Sequence, residues 1–298
     1  MKTQTIGIEI ELTGITRKTV AETVAKYFNT TVNYIGGVYQ AYEVADNTGR
    51  IWSIKRDSSI QAQNREGWAA NDEYKVEFIS PILTYSDIET LQELVRKIRK
   101  AGGFVNNSCG MHIHIGADGF TAQAAHNLIN AVASKQDLIF KALKVERYRE
   151  RYCKKISEDL LKDFNEEKPK TMAQLAKVWY NEPEREAVRI HDHYHTSRYT
   201  FCNLHALFTK GTVEFRMFNA TLHAGEVKTA IQFSLALMHQ AKTTKKAIYR
   251  PTITDNDKYT FRCWLLRLGL NGDEFKTCRH HLLKHLDGNA AWRNAQTA

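Results

Sequence analysis

Residues 107–114 read Asn-Ser-Cys-Gly-Met-His-Ile-His, and residues 7–11 read Gly-Ile-Glu-Ile-Glu. Successive side chains of a β-strand point to opposite faces, so the two glutamates share one face of a strand and the two histidines share one face of another. Carboxylate oxygens suit Mg²⁺, and an imidazole beside them is better tolerated by Mn²⁺. The two stretches therefore predict strands that carry a metal site. Each pattern alone is also typical of an exposed strand face or of ordinary packing.

The composition is that of a globular protein. With 298 residues, of which 43% are hydrophobic, the chain can form one large domain or two small ones. It has no apolar run of eighteen residues and no apolar stretch typical of a signal peptide, so we expect a cytoplasmic protein without a membrane segment. The five cysteines are scattered and should be reduced. A nucleophilic role for Cys109, beside the histidine pair, is less favoured than packing.

Basic residues exceed acidic ones, and the formal net charge is +9. Residues 242–298 contain eleven Lys or Arg against five Asp or Glu, so they carry most of this excess. Such a tail suits an anionic partner, but it is also typical of solvated helix faces. Apolar residues at helical spacing favour the second interpretation, with basic C-terminal helices that support the sheet. We expect burial of Phe261, Trp264, Leu265, Leu268, Phe275, Leu282, Leu283 and Leu286.

Strand patterns dominate the first 81 residues, where turn residues separate short alternating segments. A helix is predicted between residues 13 and 30, and a loop over 61–72. Pro81 should end a strand, and Ser86 with Glu89 predicts a capping box for a helix that ends near Gly102 and Gly103. The predicted strands are 5–12, 31–35, 38–44, 50–55 and 74–79.

The second half of the chain favours helices. One helix is predicted over 121–143, and the charged segment 144–189 is interpreted as a helical insertion or lid that includes a helix over 172–179. Two strands, 199–207 and 212–218, precede helices at 225–242, 258–268 and 272–286. Strands in runs and segregated helices predict the α+β class, with residues 1–298 forming a single domain.

Several charged residues occur within otherwise apolar strand patterns. They are Asp57, Glu77, Glu214 and Arg216. A carboxylate between Val and Phe is often only the solvent side of a half-buried sheet. Unpaired charges near a core cost on the order of several kcal/mol, so their repeated occurrence favours compensation by metals or partners.

An ordered set of motifs resembles the amidoligase family of carboxylate-amine ligases, which is related to glutamine synthetase and glutamate-cysteine ligase. The resemblance covers roughly residues 6–240. Its motifs are Gly7-x-Glu9-x-Glu11, Trp52 through Asp57-x-Ser59, Glu77-x-x-Ser80-Pro81, Cys109-Gly110-x-His112-x-His114, Arg198-Tyr199-x-x-x-Asn203 and Glu214-x-Arg216.

The resemblance implies a glutamine synthetase-like curved antiparallel sheet with helices packed on one side. The other face would bind ATP and two or three Mg²⁺ or Mn²⁺ ions. Ser58 departs from the family pattern, in which Gly is frequent, and this leaves the loop geometry open. The implied metal ligands are Glu9, Glu11, Glu77, His112 and Glu214. Asp57 would bind metal or the amine, and His114 would lie near the nucleotide. Arg216 would contact the transferring phosphate, and Arg198 with Asn203 would bind phosphate or the substrate carboxylate.

The implied activity is an ATP-dependent ligation of a carboxylate to an amine. A carboxylate must first become an acyl phosphate, and cations must neutralise the charge that develops during phosphoryl transfer. The substrates would be a small-molecule or peptide carboxylate and an amine, whose identities the motifs do not specify. An ATP-dependent phosphotransferase on a related fold and a basic nucleic-acid-binding module are the alternatives. A metal-dependent hydrolase is disfavoured, since neither His-Glu-x-x-His nor Gly-x-Ser-x-Gly occurs.

Overall fold

Strand β1 (Ile6–Leu12) lies inside an open, eight-stranded antiparallel sheet in the computed structural model, which describes residues 1–180, 192 and 194–293. The strand order is β2-β3-β4-β5-β1-β6-β8-β7, so the two segments that carry the Glu pair and the His pair are neighbours. The class is α+β, as the sequence predicts. The other strands are β2 (Val32–Gly36), β3 (Ala41–Ala45), β4 (Ile51–Lys55), β5 (Val76–Ile79), β6 (Gly110–Gly116), β7 (Cys202–Asn203) and β8 (Thr212–Asn219).

Alternation along β1 separates the two faces of the sheet. Ile6, Ile8 and Ile10 are buried in the main hydrophobic core, whereas the intervening glutamates lie on the opposite face. Helices α1 (Arg17–Phe28) and α2 (Ile88–Lys100) bury apolar residues in the same core. The helical layer therefore leaves the glutamate-bearing face available for a site.

The remaining helices extend this layer. Helix α8 packs against α2, α3 and β6, and α5 and α6 pack against α3. The helices are α3 (Ala122–Ala133), α4 (Gln136–Leu143), α5 (Glu158–Glu167), α6 (Met172–Tyr180), α7 (His205–Lys210), α8 (Ala224–Thr243), α9 (Asp257–Arg267) and α10 (Lys276–Leu283). All helices in the described part of the chain are too short or too polar to cross a membrane.

Two predicted elements of the second half differ in the structure. The single helix predicted over 121–143 is two helices, because Lys135 leaves the helical conformation between them and Ser134 donates its hydroxyl to the Asn130 carbonyl. The strand predicted over 199–207 is only two residues long. The Asn203 side chain accepts a hydrogen bond from the backbone of His205, which starts α7.

Smaller corrections concern boundaries. The capping box before α2 is formed by Thr84 and Asp87, two residues before the predicted pair, and a 3₁₀ turn lies between it and the helix. The strand predicted from residue 38 begins at Ala41. The helix predicted over 272–286 is a 3₁₀ turn, Asp273–Phe275, followed by α10. These shifts leave the sheet order unaffected.

The C-terminal helices are part of the helical layer. Helix α10 packs against α8, and α9 packs against α10. The residues expected to be buried are buried except Leu283, which is half-buried. The basic side chains thus accompany a packed apolar face, as the helical spacing predicts.

The beginning of the charged segment 144–189 is bonded to the sheet edge. The Lys154 amide donates to the Tyr199 carbonyl over 2.6 Å, and the Phe201 amide donates to the Lys154 carbonyl over 2.8 Å. Helices α5 and α6 follow, and α6 confirms the helix predicted over 172–179. Residues 181–189 of the predicted insertion lie outside the described residues.

Candidate functional site

Strand register brings the predicted metal ligands together on one face of the sheet. Glu9 of β1 pairs with His112 of β6, and Glu11 pairs with Glu77 of β5. On the next strand, Glu214 of β8 pairs with His114. The central part of the face is therefore lined by side chains that can bind a cation.

Ligand atoms form three overlapping groups, and within each group they lie within 4.8 Å of one another. Glu9 and Glu77 each belong to two groups, so the groups form one continuous cluster. All five predicted metal ligands are included, together with His114 and Asp57. The groups are Glu9–His114–Glu214, Glu9–Glu77–His112 and Glu11–Asp57–Glu77.

The carboxylates of this cluster repel one another. Burial and the charge of Asp57 raise the pKa of Glu11 to about 7. Burial and the neighbouring Glu9 raise the pKa of Glu77 well above its ordinary value. A divalent cation would relieve this repulsion, and the oxygen-rich donor set fits Mg²⁺ or Mn²⁺. The residues present therefore fit the metal ions that the sequence motifs imply.

The two imidazoles lie beside Glu9, and that of His112 is arranged as a neutral ligand. Burial and the charge of Arg216 lower the pKa of His112 to about 4, so its ring is neutral at neutral pH and one ring nitrogen can bind a metal ion without first losing a proton. Its Nδ1 lies 3.1 Å from Oε2 of Glu9. Nδ1 of His114 contacts the Thr212 hydroxyl at 3.0 Å, while its buried Nε2 lies 3.3 Å from Oε1 of Glu9 without hydrogen-bond geometry. A cation between these atoms would give that nitrogen a partner.

Asp57 faces a cavity of about 440 Å³ that opens onto the acidic cluster. One of its carboxylate oxygens, Oδ1, accepts hydrogen bonds from the Ser59 amide and hydroxyl at 2.7 and 2.6 Å. The backbone of Ser58 does not adopt a positive φ, so this loop needs no glycine there. The cavity is lined by Glu9, Glu11, Asp57, Ser58, Ser59, Glu77, Ser108, His112, Arg149, Tyr152, Tyr194, Arg198, Tyr199 and Arg216.

The predicted arginines both line this cavity, whereas Asn203 does not. Nη1 of Arg216 donates to Oε1 of Glu214 over 2.5 Å. Burial opposes ionisation of Glu214, but the positive charge of Arg216 beside it holds the pKa of this carboxyl group at about 2. Arg198 lies over the rings of Tyr194 and Tyr199. Asn203 is buried behind Glu214 and donates its amide to Oε2 over 2.6 Å, so it orients this carboxylate.

Two cationic residues near the site escaped the sequence analysis. Lys210, at the end of α7, places Nζ 3.6 Å from Oε1 of Glu9. Arg149 lines the cavity and is buried. Neither occurs in a motif with recognisable spacing, since tertiary contacts bring both to the sheet. Gly110, which the sequence analysis named only as part of a motif, is the residue beside which the Arg149 guanidinium lies.

Cys109 packs in the protein interior. Its side chain is buried beside Ile60 and Ala220, and burial raises the pKa of the thiol to about 12. The thiolate required of a nucleophile is therefore disfavoured. The expected packing role is the one that the structure supports.

The sheet and its site together define a class: an open antiparallel sheet with clustered carboxylates, imidazoles and arginines on the face opposite its helices. The chain belongs to the amidoligase family. The family model described as "Putative amidoligase enzyme" matches residues 2–238, which include every candidate site residue. No curated protein matches the chain. The matched region ends within α8, so the whole basic tail, residues 242–298, lies beyond it.

Proposed function

We propose that this protein is an ATP- and Mg²⁺-dependent ligase that joins a carboxylate to an amine through an acyl phosphate, forming an amide or isopeptide bond. The carrying observation is the continuous cluster of carboxylates and imidazoles, most of which line one cavity together with two buried arginines. The cluster members in that cavity are Glu9, Glu11, Asp57, Glu77 and His112, and the arginines are Arg149 and Arg216. Family membership supports the use of ATP. Bound metal ions would neutralise negative charge on the nucleotide phosphates during transfer.

In this proposal the acidic cluster holds the cations and the arginines hold the anions. Glu11, Asp57 and Glu77 form the group richest in carboxylates, whereas the other two groups each contain one histidine. Arg216 is fixed by Glu214 and by the Tyr152 carbonyl, to which its Nε donates over 3.2 Å. A planar guanidinium held in this way can contact two phosphate oxygens.

Asp57 has a second role available in the reaction with the amine. Ser59 occupies Oδ1, and Oδ2 can accept a proton from an ammonium group brought into the cavity. Tyr152, Tyr194 and Tyr199 line the cavity and would limit the access of water to a reactive acyl phosphate. Arg198, between two of these rings, would bind phosphate or the substrate carboxylate.

Trapping the activated carboxylate with hydroxylamine tests this function. The protein is incubated with ATP, Mg²⁺ and pooled carboxylate metabolites or peptides, and hydroxamates are detected by mass spectrometry. We expect a hydroxamate that requires ATP and disappears in Glu77→Gln. ATP-dependent formation of a stable phosphorylated product, with ADP release independent of any amine, would instead establish the phosphotransferase.

A further inference from the structure

Arg149 is a buried arginine that completes the edge of β8. Its side chain donates from Nη1 to the Phe218 carbonyl and from Nη2 to the Arg216 carbonyl, the latter over 3.2 Å. Strand β7 pairs with β8 at Glu214 and Phe215, and the Phe201 carbonyl just before β7 accepts a hydrogen bond from the Arg216 amide over 2.8 Å. Arg149 therefore supplies hydrogen bonds at the part of β8 that β7 does not reach.

The same part of β8 contains an irregularity beside the metal-ligand cluster. Met111 of β6 pairs with Phe218, but Ile113 pairs with Phe215, so β8 has one additional residue opposite His112. Bulges of this kind change the direction of a side chain, and they are frequent next to active sites. Arg216 lies within the bulged stretch, and Arg149 holds its carbonyl. In return, Arg216 donates to the carbonyl of Tyr152, three residues beyond Arg149.

Gly110 gives Arg149 access to the acidic cluster. A Cβ atom built on Gly110 would overlap Nη2 and Cζ of Arg149. The Gly110 amide donates to Oε2 of Glu11 over 2.6 Å, and the positive charge of Arg149 acts to lower the pKa of that carboxyl group. The absence of a side chain at position 110 thus leaves room for a guanidinium beside a candidate metal ligand.

We propose that Arg149 and Arg216 together form the anion subsite that binds the phosphoryl group during its transfer, an inference that rests on the proposed ATP-dependent function. Both side chains are at least 95% buried and line the same cavity. Each makes two side-chain hydrogen bonds within the described part of the chain, and a guanidinium has five N–H donors. Two fixed cations in a poorly solvated cavity bind a phosphoryl group more strongly than solvated ones do.

The binding contribution of the γ-phosphate tests this subsite. The dissociation constants of Mg²⁺-ADP and of the non-hydrolysable β,γ-imido analogue of ATP are measured by calorimetry. The ADP constant divided by the analogue constant gives the contribution of the terminal phosphate to binding. Loss of a charge-assisted contact should lower this ratio about tenfold or more in Arg149→Met. The ADP constant should stay within about twofold of the parent value. The ratio for Arg149→Lys should fall between those of the parent and of Arg149→Met, since Lys retains the charge without the planar fork.

Arg17→Met is the matched control. Arg17 is as buried as Arg149 and also donates to two backbone carbonyls, those of Asp72 and Lys75, but it does not line the cavity. Its loss should lower the melting temperature and leave the ratio of dissociation constants unchanged. Gly110→Ala provides a second test, because the new methyl group displaces the Arg149 guanidinium while its charge remains.

The outcomes separate a binding role from a structural one. Reduced ratios in Arg149→Lys and Gly110→Ala support the subsite even when Arg149→Met does not fold. Unchanged ratios in these two folded variants, with melting temperatures lowered as in Arg17→Met, would show that Arg149 only caps the strand and would overturn the inference. A parent protein that binds neither nucleotide would contradict the proposed function itself, and the inference with it.

Discussion

Metal binding to the acidic cluster should release protons at neutral pH. The pKa of Glu11 is about 7. At pH 7, therefore, about half of the protein molecules carry a proton on the Glu11 carboxyl group. Glu77, whose pKa is raised well above its ordinary value, contributes up to about one further proton. A cation binds the ionised groups, so filling the sites that contain Glu11 and Glu77 with Mg²⁺ or Mn²⁺ should release between about 0.5 and about 1.5 protons in total.

Calorimetry in two buffers measures this release. Titrations at pH 7 in PIPES and in Tris differ in the ionisation enthalpy of the buffer, and the slope of observed enthalpy against that quantity gives the number of protons. At pH 9 Glu11 is already ionised, so we expect its contribution of about 0.5 released proton to vanish and the affinity for the metal ion to rise. Glu11→Gln should remove the same share at pH 7. Glu93→Gln, at an exposed position on α2, is the control.

We expect the observed enthalpy to depend on the buffer's ionisation enthalpy wherever metal binding at Glu11 and Glu77 is measurable. Saturable binding with equal observed enthalpies in both buffers at pH 7 would refute it, because Glu11 and Glu77 would then be ionised before the metal arrives. A slope that persists unchanged in Glu11→Gln would instead assign the protons to other groups, and the arrangement of the cluster argued from Glu11 would be wrong.

Three further predictions concern catalysis and stability. Arg216→Lys should lower turnover about a hundredfold or more in the hydroxamate assay with little change in melting temperature, because Lys cannot form the two-pronged phosphate contact. Near-parental turnover would show that the role of Arg216 is structural. Hydrogen bonds from Thr48 and Arg50 outweigh burial and hold the pKa of Asp46 at about 2. Asp46→Asn should thus lower the free energy of unfolding by about 2 kcal/mol at pH 7. This stabilisation is complete above the ordinary Asp pKa and is lost as pH falls towards 2, so denaturant titrations that show the same difference at pH 7 and pH 2.5 would contradict it. Truncation before Asp255 should unfold or aggregate the protein, because it removes buried Phe261, Leu265 and Leu282, whose burial stabilises the fold by about 1.5–3 kcal/mol each. A shortened protein that stays monomeric with an unchanged circular dichroism spectrum would show that the tail is dispensable.

The clustering of these carboxylates and imidazoles could be predicted from sequence because strand geometry is local. The period of two places Glu9 with Glu11, and His112 with His114, on common faces whatever the rest of the chain does. The family resemblance then implied that both pairs bind on one face of a sheet, and the register of the structure places their two strands side by side. By contrast, the break at Lys135 and the early end of β7 depend on single side-chain hydrogen bonds, which periodicity does not reveal.

Arg149 shows a different limit of sequence analysis. It contacts carbonyls 67 and 69 positions further along the chain, and no local pattern specifies such a contact. Gly110 was visible in a motif, but a missing side chain becomes informative only when the group that fills the space is known. A glycine within a ligand-bearing strand is therefore reason to look for a cation supplied by a distant segment.

This contact also bears on the segment 144–189, which the sequence suggested as an insertion or lid. Arg149 is held by the backbone of β8, and Tyr152 accepts the hydrogen bond from Arg216. Lys154 then exchanges backbone hydrogen bonds with the residues that lead into β7. Arg149 and Tyr152 thus line one side of the cavity, and moving this stretch would break hydrogen bonds worth about 1 kcal/mol or more each. Any closure of the segment 144–189 over the site would therefore have to come from its residues beyond Lys154, while Arg149 stays fixed beside Glu11.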